Sequence, residues 1–531
     1  MKKYILVIIL NIPIILLGQS NPNFYLHANG VTCMCPNAAV GETGTVNNVT
    51  YTKRTRDQIT EANAATTCTS GITDMSYLFS GKQNFNGNIS RWDTSSVLKM
   101  NNMFDGSLSF NQALTNWDVS NVTNMIGMFR LATEFNKSIG NWNVSSVTDM
   151  SSMFGSARAF NQPIGNWNVS NVTNMSDMFR SATAFNQPIG NWDVSRVTSM
   201  SDMFSFAQSF NQPIGNWNVS SVTDMSSMFG SAIAFNQPIG NWNVSNVTNM
   251  SSMFSGATAF NQPIGNWNVG NVINMSSMFW RSQSFNQPIG NWNVSSVTDM
   301  SSMFDSAIAF NQPIGNWNVS NVTNMSDMFR NATAFNQPIG NWDVSRVTSM
   351  SGMFSFAQSF NQPIGNWSVS NVTNMSHMFR SATAFNQPIG NWNVGNVINM
   401  SSMFSGATAF DQPINNWCVT KITSEPRNFS TSSALTTPNK PKWGTCSTLS
   451  NDEFEWLSSN ISVYPNPFVN DVIVSVLENV QIQQIQVINA LGQTVYASLL
   501  PQLNLVHLPM GMYYVQVKTN QGTVTEKIIK N

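Results

Sequence analysis

The stretch Phe160-Asn161-Gln162-Pro163-Ile164-Gly165-Asn166-Trp167-Asn168-Val169-Ser170-Asn171-Val172-Thr173-Asn174-Met175-Ser176-Asp177-Met178-Phe179-Arg180-Ser181-Ala182-Thr183-Ala184 decides the fold, because Phe185 begins the same 25 residues again. Tryptophan keeps the beat: 14 of them run from Trp92 to Trp417 at a step of 25. A fixed period of this length marks a stacked array, in which each unit covers the apolar face of the next.

Within one unit, Val172, Met175, Met178, Phe179 and Ala182 follow one another at spacings of 3, 3, 1 and 3, the pattern of one helical face. Ser170 or Thr173 would cap a short helix there. Pro163 cannot donate to a sheet ladder, so it should open a strand over 164–169. The expected fold is therefore an α/β solenoid with one short strand and one short helical turn per 25-residue repeat, the strands forming a parallel sheet. The Phe, Ile, Trp, Val and Met columns are read as core. Asn161 and Asn166 recur in nearly every unit, and stacked amides can hydrogen-bond along such an array. They also supply polar surface to a chain of which only 9% is charged.

Outward from the repeats, residues 1–20 carry Lys2 and Lys3 ahead of a short apolar run from Tyr4 to Leu17, which reads as a secretory signal. Residues 21–71 read as an N-terminal cap, 72–423 as the repeats, and 424–458 as a C-terminal cap and linker. Composition then changes: short alternating runs from Ile461 onward, such as Val472-Ile473-Val474-Ser475-Val476, read as a small C-terminal β-sandwich over 459–531. The mature chain holds no further stretch apolar enough to span a membrane. Its 5 cysteines sit only at the two ends of the array, which suggests end-stapling in an oxidising compartment. Cys418 is expected to pair with Cys446, and Cys68 with either Cys33 or Cys35. Cys33-Met34-Cys35 has the wrong spacing for a zinc knuckle, and neither a metal nor a cofactor is expected.

Catalysis is the weakest reading. The 3 histidines, His27, His377 and His507, have no repeated partner, and Asp149, Asp177 and Asp202 stand where other units carry Ser, Asn or Gly. No Gly-rich phosphate loop is present, and a net charge of −1 leaves no footprint for nucleic acid. Binding is the stronger reading. The positions that vary against the constant scaffold follow Met-Phe in each unit, and aromatics and Arg are typical anchors. Phe206, Trp280, Arg281 and Phe356 are the candidate ligand-binding residues. Two other readings stand beside this one: a spacer or coat element without a ligand, and an ice-binding surface built on the file of Thr123, Thr148, Thr173 and Thr198. Residues 174–218 and 324–368 are nearly identical at a shift of 150, so the array grew by copying blocks.

The unit at 160–179 resembles the 25-residue repeat of BspA-like bacterial surface proteins, grouped with leucine-rich repeats. That resemblance implies a leucine-rich-repeat-like solenoid, a role in adhesion to host or matrix proteins, glycans or other cells, and no catalytic residues. The C-terminal stretch resembles the type A sorting domain of the type IX secretion system, through Val463-Tyr464-Pro465-Asn466-Pro467-Phe468, Asn489-Ala490-Leu491-Gly492-Gln493, Gly511-Met512-Tyr513-Tyr514-Val515 and Lys527-Ile528-Ile529. It implies the type IX machinery as a partner, and localisation to the outer-membrane surface of a Gram-negative bacterium.

Overall fold

The structure is a computed structural model that describes residues 21–446, 461–476, 480–490, 492–519 and 522–531. The expected signal segment, part of the expected linker, and Leu491 lie outside the described residues. The chain divides into two compact units, 1–412 with 424–439 and 413–423 with 440–531.

In the first unit each 25-residue repeat is one rung, and successive rungs stack in register. The backbone from Met175 to Ala182 shows how. Met175, Asp177, Phe179 and Ser181 donate their N–H groups to Ser199, Ser201, Met203 and Ser205 of the next rung, at 3.1, 2.8, 2.9 and 2.7 Å. The residues between them turn back locally: Met178 donates to Met175, Arg180 to Asp177 and Ala182 to Phe179. Asp177 and Ser181 hold φ at 57° and 56°, in the left-handed region that a helix cannot contain. The same two positions are left-handed in rung after rung, filled by Ser, Asp, Asn or Gly and now and then by a larger side chain.

The expected helix is therefore replaced by consecutive tight turns. Every second amide serves the neighbouring rung, yet Val172, Met175, Met178, Phe179 and Ala182 still all point inward and are fully buried. The expected strand over 164–169 is absent too. Trp167 donates its N–H to Ile164 in a turn, and the stacking direction is bridged by side chains. Trp167 Nε1 donates to Ile139 O at 3.1 Å. Asn161 Oδ1 accepts both the Asn186 N–H and Gln187 Nε2 of the next rung, at 3.0 and 2.9 Å.

Ring stacking adds to these side-chain bridges. The Trp167 and Trp192 rings lie 6.5 Å apart and nearly parallel. On the tryptophan side no main-chain hydrogen bond joins successive rungs over 164–169, and aromatic stacking and amide side chains bridge them instead. On the opposite side one residue per rung forms a parallel bridge, from Asp74↔Lys99 through Asn374↔Asn399. The parallel-sheet, leucine-rich-repeat-like solenoid is thus overturned. The repeats contain no α-helix and no strand, and the strands among the described residues belong to small separate sheets outside the repeats.

The inside of the stack is aromatic and thioether. Phe179 and Phe185 lie 4.0 Å apart within a rung, Phe179 and Phe204 5.7 Å apart between rungs, and tryptophans such as Trp242 are 3% exposed. Before the first rung, β1 (Tyr25–Leu26) pairs antiparallel with β2 (Cys33–Met34), and β3 (Thr43–Val46) with β4 (Val49–Lys53), which runs parallel to β5 (Thr67–Cys68). A disulfide joins Cys35 to Cys68. Cys33 keeps a free, buried thiol whose pKa burial pushes up to about 11.

In the second unit, β6 (Ile461–Tyr464), β7 (Asp471–Val476) and β10 (Gln502–Asn504) form one antiparallel sheet in the order β10-β7-β6. A second sheet holds β8 (Ile482–Asn489), β9 (Thr494–Ser498), β11 (Gly511–Thr519) and β12 (Gly522–Lys530) in the order β12-β11-β8-β9. Both contribute to one core that includes Val472, Val474, Val487, Val515 and Ile528. A disulfide joins Cys418 to Cys446.

Candidate binding face

The two left-handed positions of each rung push their side chains outward, and the second of them organises the surface. Reading down that column, most rungs carry Ser, Gly or Asn. Leu131, Phe206, Arg281 and Phe356 break the series, at intervals of 75 residues, or three rungs. All four are left-handed, with φ of 58°, 58°, 55° and 60°. Such a conformation costs a bulky residue about 1–2 kcal/mol relative to Gly. Phe206 is 45% exposed and Leu131 38%; Arg281 is exposed and Phe356 half-buried. The 150-residue block copy relates Phe206 to Phe356. It does not account for Leu131 or Arg281, which fall on the same beat.

Trp280 stands in the adjoining column, and its geometry is fixed on two sides. Its indole N–H donates to Asp305 Oδ2 of the next rung at 3.2 Å, and the Arg281 guanidinium lies 4.3 Å over its ring, an attractive cation–π arrangement. Asp305 is buried; Ser306 Oγ donates to its other oxygen at 2.8 Å, and Arg330 lies at 3.7 Å. Burial pushes the Asp305 carboxyl above its ordinary range, opposed by Ser306, Arg330, Trp280 and Arg281. Arg380 repeats the motif over Phe356, at 5.3 Å. Its charge adds to burial in holding His377 below the usual histidine range. The four candidate residues thus share one face: Phe206, Arg281 and Phe356 on one column, Trp280 beside it.

The same columns hold a groove that the sequence reading missed. Gly155 has no side chain, and Arg130 and Arg180 stand one rung to either side of it. Between them lies a cavity of about 360 Å³, lined also by Leu131 and Asp177. Arg130 pairs with Asp105 at 2.7 Å, and Arg180 with Asp177 at 3.3 Å and Asp202 at 3.9 Å. The signal was present in the sequence as a Gly between two Arg on one column. The Thr file lies elsewhere and is not helical. Thr173 N–H donates to Thr148 O, and so does its hydroxyl at 3.2 Å, so these hydroxyl protons are held by the preceding rung.

Comparison with known families follows this division. A family described as "Mycoplasma protein of unknown function, DUF285" matches residues 48–164, 113–217, 188–287, 259–362 and 338–443, more than half of the chain together. The chain belongs to that family. Residues 462–531 match a secretion system C-terminal sorting domain, which implies the type IX machinery as partner and export to the cell surface or extracellular space. No match was found among curated proteins. Among the described residues, no helix is long and apolar enough to cross a membrane.

Proposed function

We propose that this protein is a secreted, non-enzymatic binding scaffold of the BspA-like kind, an adhesin that holds an extended extracellular chain, a matrix protein or a glycan, along its left-handed column. The observation that supports this is the row of large side chains at every third rung, held outward in a conformation that only small residues adopt without cost. Ser, Gly and Asn between them leave troughs two rungs wide. The stacked Arg281–Trp280 and Arg380–Phe356 pairs lose little side-chain freedom on binding, which favours affinity.

The test is a binding array of matrix proteins and glycans, probed with the full chain and with Phe206, Trp280, Arg281 and Phe356 all changed to Ser. Serine already stands in both columns of neighbouring rungs, at Ser205, Ser231, Ser255 and Ser181, so the variant should fold. Binding weakened about tenfold or more supports the reading. Unchanged binding removes these residues from the site. An array on which the native chain binds nothing saturably favours a spacer.

A further inference from the structure

The end of the stack carries a second, independent feature, in the cap and away from the left-handed columns. Where β4 runs out and the first rung begins, a cavity of about 350 Å³ is lined by Lys53, Arg54, Arg56, Ser70, Ile72 and Asp74, among others. That volume lies within the range of small-molecule sites, about 300–1,000 Å³. The three basic stems are fixed by carbonyl groups. Lys53 Nζ donates to Cys35 O at 2.8 Å. Arg54 Nη1 donates to Thr66 O at 3.0 Å and to Thr67 Oγ1 at 2.9 Å. Arg56 Nη2 donates to Ser76 O.

Local carboxylates offset part of this charge, Asp57 and Asp74 at Arg56 and Asp93 at Lys53, and leave Arg54 without an ion pair among the described residues. Asp57 pairs with Arg56 at 2.9 Å from a side chain that is 87% exposed. Asp74 itself lines the cavity; it accepts the Ser76 N–H at 2.8 Å and faces the charges of Lys99 and Arg56. Asp93 is buried and accepts from Ser95. Lys53 and Arg54 have no ion pair among the described residues, and each keeps unused N–H donors. Burial, opposed by the nearby Asp93 charge, holds the Lys53 ammonium below the usual lysine range, so an incoming anion would find it poorly solvated. Val40, 54% exposed at the rim, and Ile72 add an apolar side.

We propose that this cavity binds a small anionic ligand of one-sugar size, its carboxylate or phosphate held by Lys53, Arg54 and Arg56 and its ring lying against Val40 and Ile72. Charge-assisted bonds of this kind are the strong ones, and the Arg fork suits both anions.

The experiment is calorimetric titration of the full chain with glucuronic acid, glucose 6-phosphate and, as the neutral control, glucose. Binding of either anion, weakened by salt and well above that of glucose, is expected, and the tighter of the two identifies the head group. Arg54→Gln should weaken it about tenfold or more. Because Arg54 also ties the cap together, Val40→Glu is the second variant; it touches no cap hydrogen bond and should abolish anion binding by repulsion while leaving the melting temperature in place. Glucose binding as tightly as the anions, no binding of either anion, or anion binding that survives Val40→Glu would overturn the proposal.

Discussion

Replacing Gly240 by Ala tests the close approach of successive rungs most directly. A Cβ at Gly240 would sit 2.5 Å from Pro263 O of the next rung, whereas ordinary contact begins near 3.4 Å. The clashing atom is main-chain carbonyl, so no side chain can swing away. Relief requires the two rungs to part by about 0.9 Å at this edge, a gap that forfeits a quarter to a half of each dispersion contact across it. Trp242 and Trp267, already 6.4 Å apart, and the bond from Gln262 Nε2 to Asn236 Oδ1 at 3.0 Å lie in the strained region. Overpacking of this sort costs about 1–3 kcal/mol, and we expect the upper half of that range. The control is Gly270→Ser, where the nearest atoms lie at 3.3 and 3.4 Å and belong to side chains, and where other rungs carry Ser. It should stay within about 0.5 kcal/mol of the parent. Urea unfolding followed by tryptophan fluorescence measures both. If Gly240→Ala unfolds at the same midpoint as Gly270→Ser, the close approach of rungs on this side is not what selects glycine there.

Trp242→Phe removes the indole bond to Ile214 O at 3.1 Å, though that carbonyl keeps the Trp217 N–H; with the volume left behind, a loss of about 1–3 kcal/mol is expected in the same urea assay. Asp202 has its carboxyl pKa raised, chiefly by burial. A carboxyl raised on folding lowers stability as pH climbs from its unfolded to its folded value, and the deficit persists above. Asp202→Asn should therefore raise the melting temperature at pH 7, with the gain vanishing below about pH 4; a gain that grows on acidification would contradict the assignment. Changing both Cys35 and Cys68 to Ser opens a loop of 33 residues, worth about 3–4 kcal/mol by chain entropy. Hydrogen exchange should show the loss confined to residues 21–71, with the rungs near Trp267 unchanged.

The sequence by itself determined the period, the identity of the buried columns, the Cys418–Cys446 pair and the change of character near Ile461, while Cys35 rather than Cys33 as the partner of Cys68 came from the structure. Each rests on which side chains are apolar and how often they recur, and burial follows composition wherever a stack exists to bury them. It did not determine the path of the chain between those side chains. Spacings of 3, 3, 1 and 3 suit a helical face, but they suit equally a run of turns with a left-handed residue at every fourth position. Only contact with the next rung separates the two, because four of the seven amides from Met175 to Ser181 find their partners 24 residues away. The clue was Gly recurring at 81, 106, 256 and 406 and at 127 and 352 on two columns, which marks positive φ once the columns are known to face solvent. The binding face shows the same division. The sequence singled out Phe206, Trp280, Arg281 and Phe356, while the stacking of rungs decided that they share one face, that Arg281 lies over Trp280, and that Arg130, Gly155 and Arg180 enclose a groove. Those relations depend on how one rung stacks on the next, with ring centroids 5.7 Å apart at Phe179 and Phe204 and 6.5 Å apart at Trp167 and Trp192, and no single repeat encodes them.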